Sequence, residues 1–434
     1  MEDIKPTNAK ERTLSGIDFF LLWAGAAVSL AEIWAGGNIS GAGFLAAAVA
    51  IVLGHVIGNT PLALGGILGS RHGVPTMVSI RPTFGILGSQ FAALLNIIQL
   101  VGWTAVMLLI CGFTINSLFD DINYRIWVAV AGIITTLWAI VGHRFWKWMQ
   151  RAAVTLLLIL CVVMTYVMLV NYDISQIMRT GPNIESPIGF GLAMDLVIAM
   201  PISWLPLVSD YSRFSKSSKG AFWGTWLGYL IVGSWMYLIG LFASIATGTE
   251  TPDAMIIELM GKVGLIVPAV IIVIFSTVTT TFLDIYSASV STQNIFSRLS
   301  GRWGILGAGI LGTIIALFFP ATQYETFLLF IGSIFCPLFG VVLSDYFILL
   351  RLKMEIKELF KKGGKYWYLG GFNITALFSW GVGFFIYHEI AIFFPNLGAS
   401  LPAIVTSALI YYVVMKVKKD RGYPKGEIRL HITL

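Results

Sequence analysis

The apolar residues of this chain come in long blocks separated by charge clusters. Each block is about 20 residues, the helix length that crosses a ~30 Å hydrocarbon layer. That pattern constrains the fold more than any other feature. A backbone in hydrocarbon must satisfy its own N–H and C=O groups, and single blocks of this length do so only as α-helices. Twelve spans are expected, near residues 17–40, 44–69, 87–117, 125–142, 150–171, 188–209, 221–247, 264–296, 304–319, 324–350, 368–392 and 398–416. Of the 434 residues, 57% are hydrophobic and 12% charged. Soluble domains carry about 25% charged residues, so the expectation is an all-α polytopic membrane protein with no soluble domain. No charged-then-apolar leader with a small-residue cleavage site opens the chain, so the first block is expected to be a true span.

Basic residues orient the spans, because cytoplasmic loops collect Lys and Arg. With residues 1–16 in the cytoplasm, that side receives Lys5, Lys10, Arg12, Arg71, Arg81, Arg144, Lys147, Arg151, Arg213, Lys216 and Lys219. It also receives Arg298, Arg302, the cluster from Arg351 to Lys365 and the tail 417–434. Of 28 Lys and Arg, only Arg125, Arg179 and Lys262 fall on the other side. The net charge of +6 therefore follows the loops and does not point to nucleic acid. Residues 351–366 read as a solvated basic loop near anionic lipid. Tyr211, Trp303 and Tyr346 sit near span ends, which suits interfacial anchoring. Cys111, Cys161 and Cys336 have no metal-ligand spacing. Spacings such as Gly54/Gly58 and Gly65/Gly69 permit close helix packing. No hydrolytic, redox or nucleotide-binding motif is present, so an enzyme is not expected.

Polar residues inside the spans carry the functional argument. Span 1 contains Gly25-Ala-Ala-Val-Ser-Leu-Ala-Glu-Ile-Trp-Ala-Gly-Gly-Asn-Ile-Ser40. Gly25, Val28 and Glu32 share one helix face, Trp34 follows, and a break is expected at Gly36-Gly37. An acidic residue at mid-span costs at least ~2.5 kcal/mol and is retained where it meets a cavity or partner. Glu32 is thus either a structural carboxyl or a ligand contact. Span 6 holds Pro201-Ile-Ser-Trp-Leu-Pro206, where each proline removes a backbone donor. Discontinuous helices opening two inverted halves point to a midplane transport site. Span 8 carries Ser276-Thr-Val-Thr-Thr-Thr-Phe-Leu-Asp284. Ser276, Thr279 and Thr280 share a face and, with span-1 carbonyls, would make an oxygen cage for a hard monovalent cation; the alternative is back-bonding to their own helix. Asp284 is a second intramembrane acid, available to share a proton with Glu32, to contact a ligand or to face water. In span 3, Gln99 and Trp103 lie four apart on one face, where an amide and an indole can hold a flat heteroaromatic ring. His55 and His388 are isolated and read as structural.

These residues resemble the nucleobase–cation symporter-1 family, in its cytosine-permease branch. The stretches that carry the resemblance are Ile33-Trp-Ala-Gly-Gly37, Gly69-Ser-Arg-His-Gly73 with Arg81-Pro-Thr-Phe-Gly85, Val101-Gly-Trp103, Asp210-Tyr-Ser-Arg-Phe214, Thr279-Thr280 followed by Tyr286, and Pro337 through Ser344-Asp-Tyr346. The resemblance implies a leucine-transporter-like fold: an inverted 5+5 repeat over 17–171 and 188–350, plus two C-terminal helices over 368–416. It implies a Na+ site formed by the carbonyls of Gly25 and Val28 with Ser276, Thr279 and Thr280. It also places substrate contacts on spans 1, 3, 6 and 8. This chain departs from cytosine permeases at Ser276 and Thr281, where they carry Asn, and at Glu32, where they carry a small residue. Pro201 takes the place of their span-6 aromatic, with Trp204 one turn later, and Gln99 is offset by one residue. The run from Pro201 to Tyr211 most resembles the branch assigned to hydroxymethylpyrimidine (4-amino-5-hydroxymethyl-2-methylpyrimidine), the thiamine precursor.

The expectation is therefore a symporter of the cell membrane that imports a pyrimidine with Na+ by alternating access. The ligand would be hydroxymethylpyrimidine, or alternatively cytosine or another nucleobase with H+ coupled through Glu32. Trp103 and Trp204 would stack the ring, and Glu32, Trp34, Gln99, Ser203, Thr281 and Asp284 would orient it. The partners implied are the substrate and the bilayer, with no nucleic acid and no obligate protein partner. Replacing Glu32 by Gln should weaken pyrimidine uptake and leave sodium binding largely intact. Unchanged pyrimidine binding in that variant would make Glu32 a structural carboxyl.

Overall fold

The computed structural model describes residues 4–119, 121–141, 146–185, 187–249 and 251–420. Residues 1–3, Arg144 and the tail from residue 421 lie outside them. In chain order the helices are α1 (Gly16–Ala27), α2 (Leu30–Asn38), α3 (Phe44–His72), α4 (Thr76–Ser79), α5 (Arg81–Phe84), α6 (Ile86–Asn116), α7 (Tyr124–Val141) and α8 (Trp146–Asn171). There follow α9 (Ile174–Met178), α10 (Phe190–Trp204), α11 (Val208–Ser212), α12 (Ser218–Thr247), α13 (Pro252–Gly261) and α14 (Ile266–Ile295). The last are α15 (Gly301–Ala316), α16 (Tyr324–Leu343), α17 (Ile374–Phe393) and α18 (Ser400–Asp420). Among the described residues ten helices are long and apolar enough to cross a membrane, and the bent pair α1–α2 adds an eleventh span. The ninth expected segment is the shorter apolar helix α15.

The first span breaks between α1 and α2, with a bend of 58°. The break lies at Val28 and Ser29, ahead of the glycine pair expected to cause it. Ser29 is extended and caps α2, its Oγ accepting the Glu32 N–H at 3.3 Å. Such a cap satisfies a donor that the new helix start would leave unpaired. Gly25 and Glu32 consequently sit on different helices rather than on one face. Gly36 and Gly37 lie inside α2, and a Cβ at Gly36 would stand 2.2 Å from the Tyr237 carbonyl oxygen. They are close-packing residues, not a hinge. The sixth span breaks as its prolines suggest: a 3-10 turn at Leu205–Leu207, with Pro206 in it, separates α10 from α11.

Two glycine stripes seat the two broken spans. On α12, a Cβ at Gly228 would lie 2.4 Å from Phe20 O, and one at Gly240 would lie 1.9 Å from Ile33 O. On α3, a Cβ at Gly58 would meet Pro201 Cγ at 2.5 Å, and one at Gly69 would meet Ser209 Cβ at 2.7 Å. So α12 holds α1–α2 and α3 holds α10–α11 at backbone contact. Elsewhere α3 packs on α12, α6 on α14 and α15, and α7 on α14 and α15. Exchanging each of these spans with the one five later maps the contacts onto one another, as a 5+5 arrangement requires. Helices α17 and α18 pack on α16 outside that set.

The loops rich in Lys and Arg meet at one end of the bundle. The Thr7 hydroxyl donates to Arg213 O (3.0 Å), and the Thr76 N–H donates to Asp210 Oδ1 (2.9 Å). Arg81 donates to Asn294 Oδ1 (2.6 Å) and to Leu359 O (2.9 Å). Residues 351–366 are thereby docked rather than merely solvated. Leu359 and Tyr366 are buried with Val74 and Val78, while the charged side chains of the same loop face outward. In that loop the Lys365 N–H donates to Glu358 Oε2 at 2.9 Å and, with Lys361 adding, holds the carboxyl below its ordinary range. Tyr346 also points inward, paired with His72 Nε2 at 2.8 Å, so it is not an interfacial anchor. Gly73 (φ 70°) and Gly85 (φ 85°) take backbone conformations that side chains rarely adopt where the chain turns at this end.

Because nothing flexible stands opposite Gly240, Gly240→Leu should lower thermal stability in detergent by roughly 1–3 kcal/mol or abolish folding. Gly307→Ala has open space around its Cβ and should be neutral; equal melting of both variants would refute the seating argument.

Candidate functional site

The two breaks and the middle of α6 and α14 enclose one cavity. Its wall is Ala26, Ser29, Ala31 and Glu32 from the first span, Trp103 and Met107 from α6, Met200 and Trp204 from α10, and Thr280 and Asp284 from α14. Its volume of about 20 Å³ is room for a water and not for a heteroaromatic ring. A ring can enter only when the side chains around it move apart.

Glu32 is held from behind. The Tyr229 hydroxyl, on α12, donates to Glu32 Oε1. Glu32 Oε2 is buried with no hydrogen-bond partner among the described residues. Asp284 is 4% exposed and has no hydrogen-bond partner among them either. Unpaired buried polar groups are costly, and these two carboxyls leave acceptor oxygens open toward one cavity. Among the described residues no Lys, Arg or His lines the cavity.

The indoles are fixed by neighbours. Trp103 contacts Phe327 edge-on at 5.3 Å, and its buried Nε1 has no partner among the described residues. Trp204, displaced one turn along span 6, is braced by Trp23 at 6.0 Å and 81°. Trp23 in turn meets Tyr211 and Tyr229. The displacement leaves Trp204 on the cavity.

Other expected contacts are engaged elsewhere. Trp34 stacks on Tyr324 at 4.2 Å and 12°, away from the cavity wall. The Tyr324 hydroxyl pins α2 by donating to Ala31 O at 2.8 Å. Gln99 Nε2 donates to Asn96 Oδ1 and to Ser203 O, both at 2.8 Å. Pro206 has no N–H, and Gln99 supplies a donor to a carbonyl at that break. The Ser203 hydroxyl donates to Met200 O (2.6 Å) and the Thr281 hydroxyl to Thr277 O (2.7 Å), each within its own helix. His55 is not isolated, since its ring contacts Tyr229 and Tyr237.

At the first break, no backbone N–H among the described residues reaches the carbonyls of Gly25, Ala26 or Val28. Ser276 is 4% exposed, and the Thr279 hydroxyl donates to Ser276 O at 2.9 Å. The donor set of free carbonyls and hydroxyls is all oxygen, which fits a hard monovalent cation.

Tyr229 escaped the sequence reading. Its one signal was depth: a tyrosine in mid-span, away from an interface, needs a partner for its hydroxyl. Asn96 was missed in the same way; it links Gln99 to Ser291 across α6 and α14.

The family profile described as permease for cytosine/purines, uracil, thiamine, allantoin matches residues 6–414. A putative purine-cytosine permease of Bacillus subtilis is 25% identical, over 95% of this chain and 96% of its own length. Among solved structures, Mhp1, a nucleobase-cation-symport-1 family transporter in a closed conformation with bromovinylhydantoin bound, superposes with a TM-score of 0.85. Identity there is 21%, with 97% of this chain and 96% of that one covered. A Na+-coupled sialic acid symporter, at 14% identity, gives 0.60 over 97% and 95%. These two likenesses are of fold.

The Tyr229–Glu32 bond should show in a double-mutant cycle of Tyr229→Phe and Glu32→Gln. Tyr229→Phe alone should cost about 1–3 kcal/mol of stability, by leaving a buried carboxyl unpaired. That cost should be smaller in the Glu32→Gln background, where Tyr229 donates to a neutral amide oxygen and not to an acid. Additive melting losses would show that the bond does not hold the acid.

Proposed function

The chain belongs to the permease family for cytosine/purines, uracil, thiamine and allantoin, and from that membership we propose that it imports an aminopyrimidine, hydroxymethylpyrimidine first, together with Na+. It is a multi-pass membrane transporter and not an enzyme. The observation that carries the substrate reading is the pairing of two carboxyls, Glu32 and Asp284, with two indoles on one cavity. The indoles sandwich a flat ring. The carboxyl oxygens accept from an exocyclic amine, and a protonated carboxyl can also donate to the adjacent ring nitrogen. Cytosine shares the amino edge and is the second reading, with the proton as coupling ion through Glu32.

Na+ would be held by the carbonyls of Gly25 and Val28 with the hydroxyls of Ser276, Thr279 and Thr280. Support comes from the free carbonyls at the first break and from the Na+-coupled symporter that shares the fold. Gln99, Ser203 and Thr281 serve this site by shaping its walls, and Trp34 by fixing α2 against α16. The repeats 17–171 and 188–350 would rock against each other to expose the cavity to each side in turn. With the end rich in Lys and Arg taken as the cytoplasmic one, both termini would lie in the cytoplasm and the chain would sit in the cell membrane.

Labelled hydroxymethylpyrimidine should accumulate in proteoliposomes under an inward Na+ gradient. Unlabelled cytosine should compete more weakly than unlabelled hydroxymethylpyrimidine. Accumulation indifferent to Na+ would remove the coupling ion. Stronger competition by cytosine would transfer the assignment to a nucleobase, and no uptake of any pyrimidine would remove the substrate class.

A further inference from the structure

We infer that the cavity takes its pyrimidine as a cation, protonated on the ring nitrogen beside the amino group, with Glu32 and Asp284 as counter-charge. The inference rests on the aminopyrimidine reading above and adds the charge state of the ligand.

The first ground is charge balance. Two acids from different spans, Glu32 on α2 and Asp284 on α14, line a cavity that no basic side chain among the described residues lines. The titratable groups packed around Glu32 are Tyr229 and Tyr237 on α12, His55 on α3, Tyr324 on α16 and Asp284 itself. Helices α6 and α10 present the uncharged Trp103 and Trp204. His55 directs Nδ1 to Ile51 O at 2.8 Å and is not on the cavity wall. Buried carboxylates without an opposite charge are strongly disfavoured. One bound Na+ would balance one of them, and a cationic ring would balance the other.

The second ground is hydrogen bonding. Tyr229 gives its hydroxyl proton to Glu32 Oε1, and donation to a carboxylate favours its charged form. That leaves Oε2 as an acceptor without a donor. A neutral Glu32 would instead donate from Oε2 to an unprotonated ring nitrogen, the arrangement that the bond from Tyr229 disfavours. A ring protonated beside its amino group presents two parallel N–H donors, the match for one carboxylate's two oxygens. Oε1 retains a lone pair for this after accepting from Tyr229.

The third ground is the pair of indoles. Trp103 and Trp204 both line the cavity, and a desolvated cation over an indole face is attracted by its quadrupole. The proton is taken from bulk water onto the ring before closure and is released to water on the other side. Each import cycle therefore carries one proton inward with the ring, and only N–H bonds form and break.

The test is nuclear magnetic resonance of hydroxymethylpyrimidine labelled isotopically at its ring nitrogens and bound to the full chain in detergent at neutral pH. The label should report a protonated nitrogen in the wild-type complex. In Glu32→Gln it should report a neutral ring, with affinity lower by about tenfold or more, the loss of a charge-assisted hydrogen bond. Asp284→Asn should also weaken binding, and it keeps the test open if Glu32→Gln does not fold. A neutral ring in the wild-type complex overturns the inference while leaving the aminopyrimidine assignment intact. Failure of any pyrimidine to bind overturns both.

Discussion

The backbone contact between α12 and the broken first span is the constraint on which the rest depends. Gly228 and Gly240 let α12 approach Phe20 and Ile33 so closely that no side chain fits between. That approach brings Tyr229 within reach of Glu32. A single Cβ on this stripe would move the acid as well as the helix. The other broken span is held by the same device, with Gly58 and Gly69 of α3 against Pro201 and Ser209. In hydrocarbon there is no hydrophobic drive between helices, so close van der Waals packing has to supply the association. The glycine stripes are where this bundle obtains it.

Holding the breaks so firmly makes polar backbone available at mid-depth. Most carbonyls of a membrane helix are consumed by the helix itself. The Val28–Ser29 break frees those of Gly25, Ala26 and Val28, and the Leu205–Leu207 turn is repaired from outside by Gln99. One break is left open and the other is sealed. The open one shares the cavity wall with Thr280 and Asp284 of α14, and the sealed one carries Trp204 on that wall. The two acids and two indoles on one wall then follow from the packing.

Much of this was legible in the residues. The apolar blocks announced the spans, and the bias of Lys and Arg foretold which loops would meet at one end. Glu32, Trp103, Trp204, Thr280 and Asp284 stood out because polar and amphipathic residues at mid-span are expensive, and the structure gathers all five on one cavity. Gly36-Gly37 misled, because a glycine pair signals either a flexible break or a close approach, and only the partner helix distinguishes them. Gln99, Ser203 and Thr281 looked like ligand contacts because their side chains can hydrogen-bond; whether they bond to a ligand or to a backbone carbonyl depends on which carbonyls the breaks release. Residues 351–366 looked solvated because their charges dominate the composition. Leu359 and Tyr366 are buried with Val74 and Val78, and Met354 and Ile356 pack partly buried against them.

What the sequence determined by itself was the class of solution. Blocks of apolar residues in a bilayer have to become helices, and acids inside them have to find a reason to stay. What only the tertiary structure decided was which oxygen faces which neighbour. That choice depends on distances between helices far apart in the chain, such as Tyr229 to Glu32 across 197 positions. Local pattern holds no record of those distances, because they are set when glycine stripes on one half of the molecule close on the broken helices of the other.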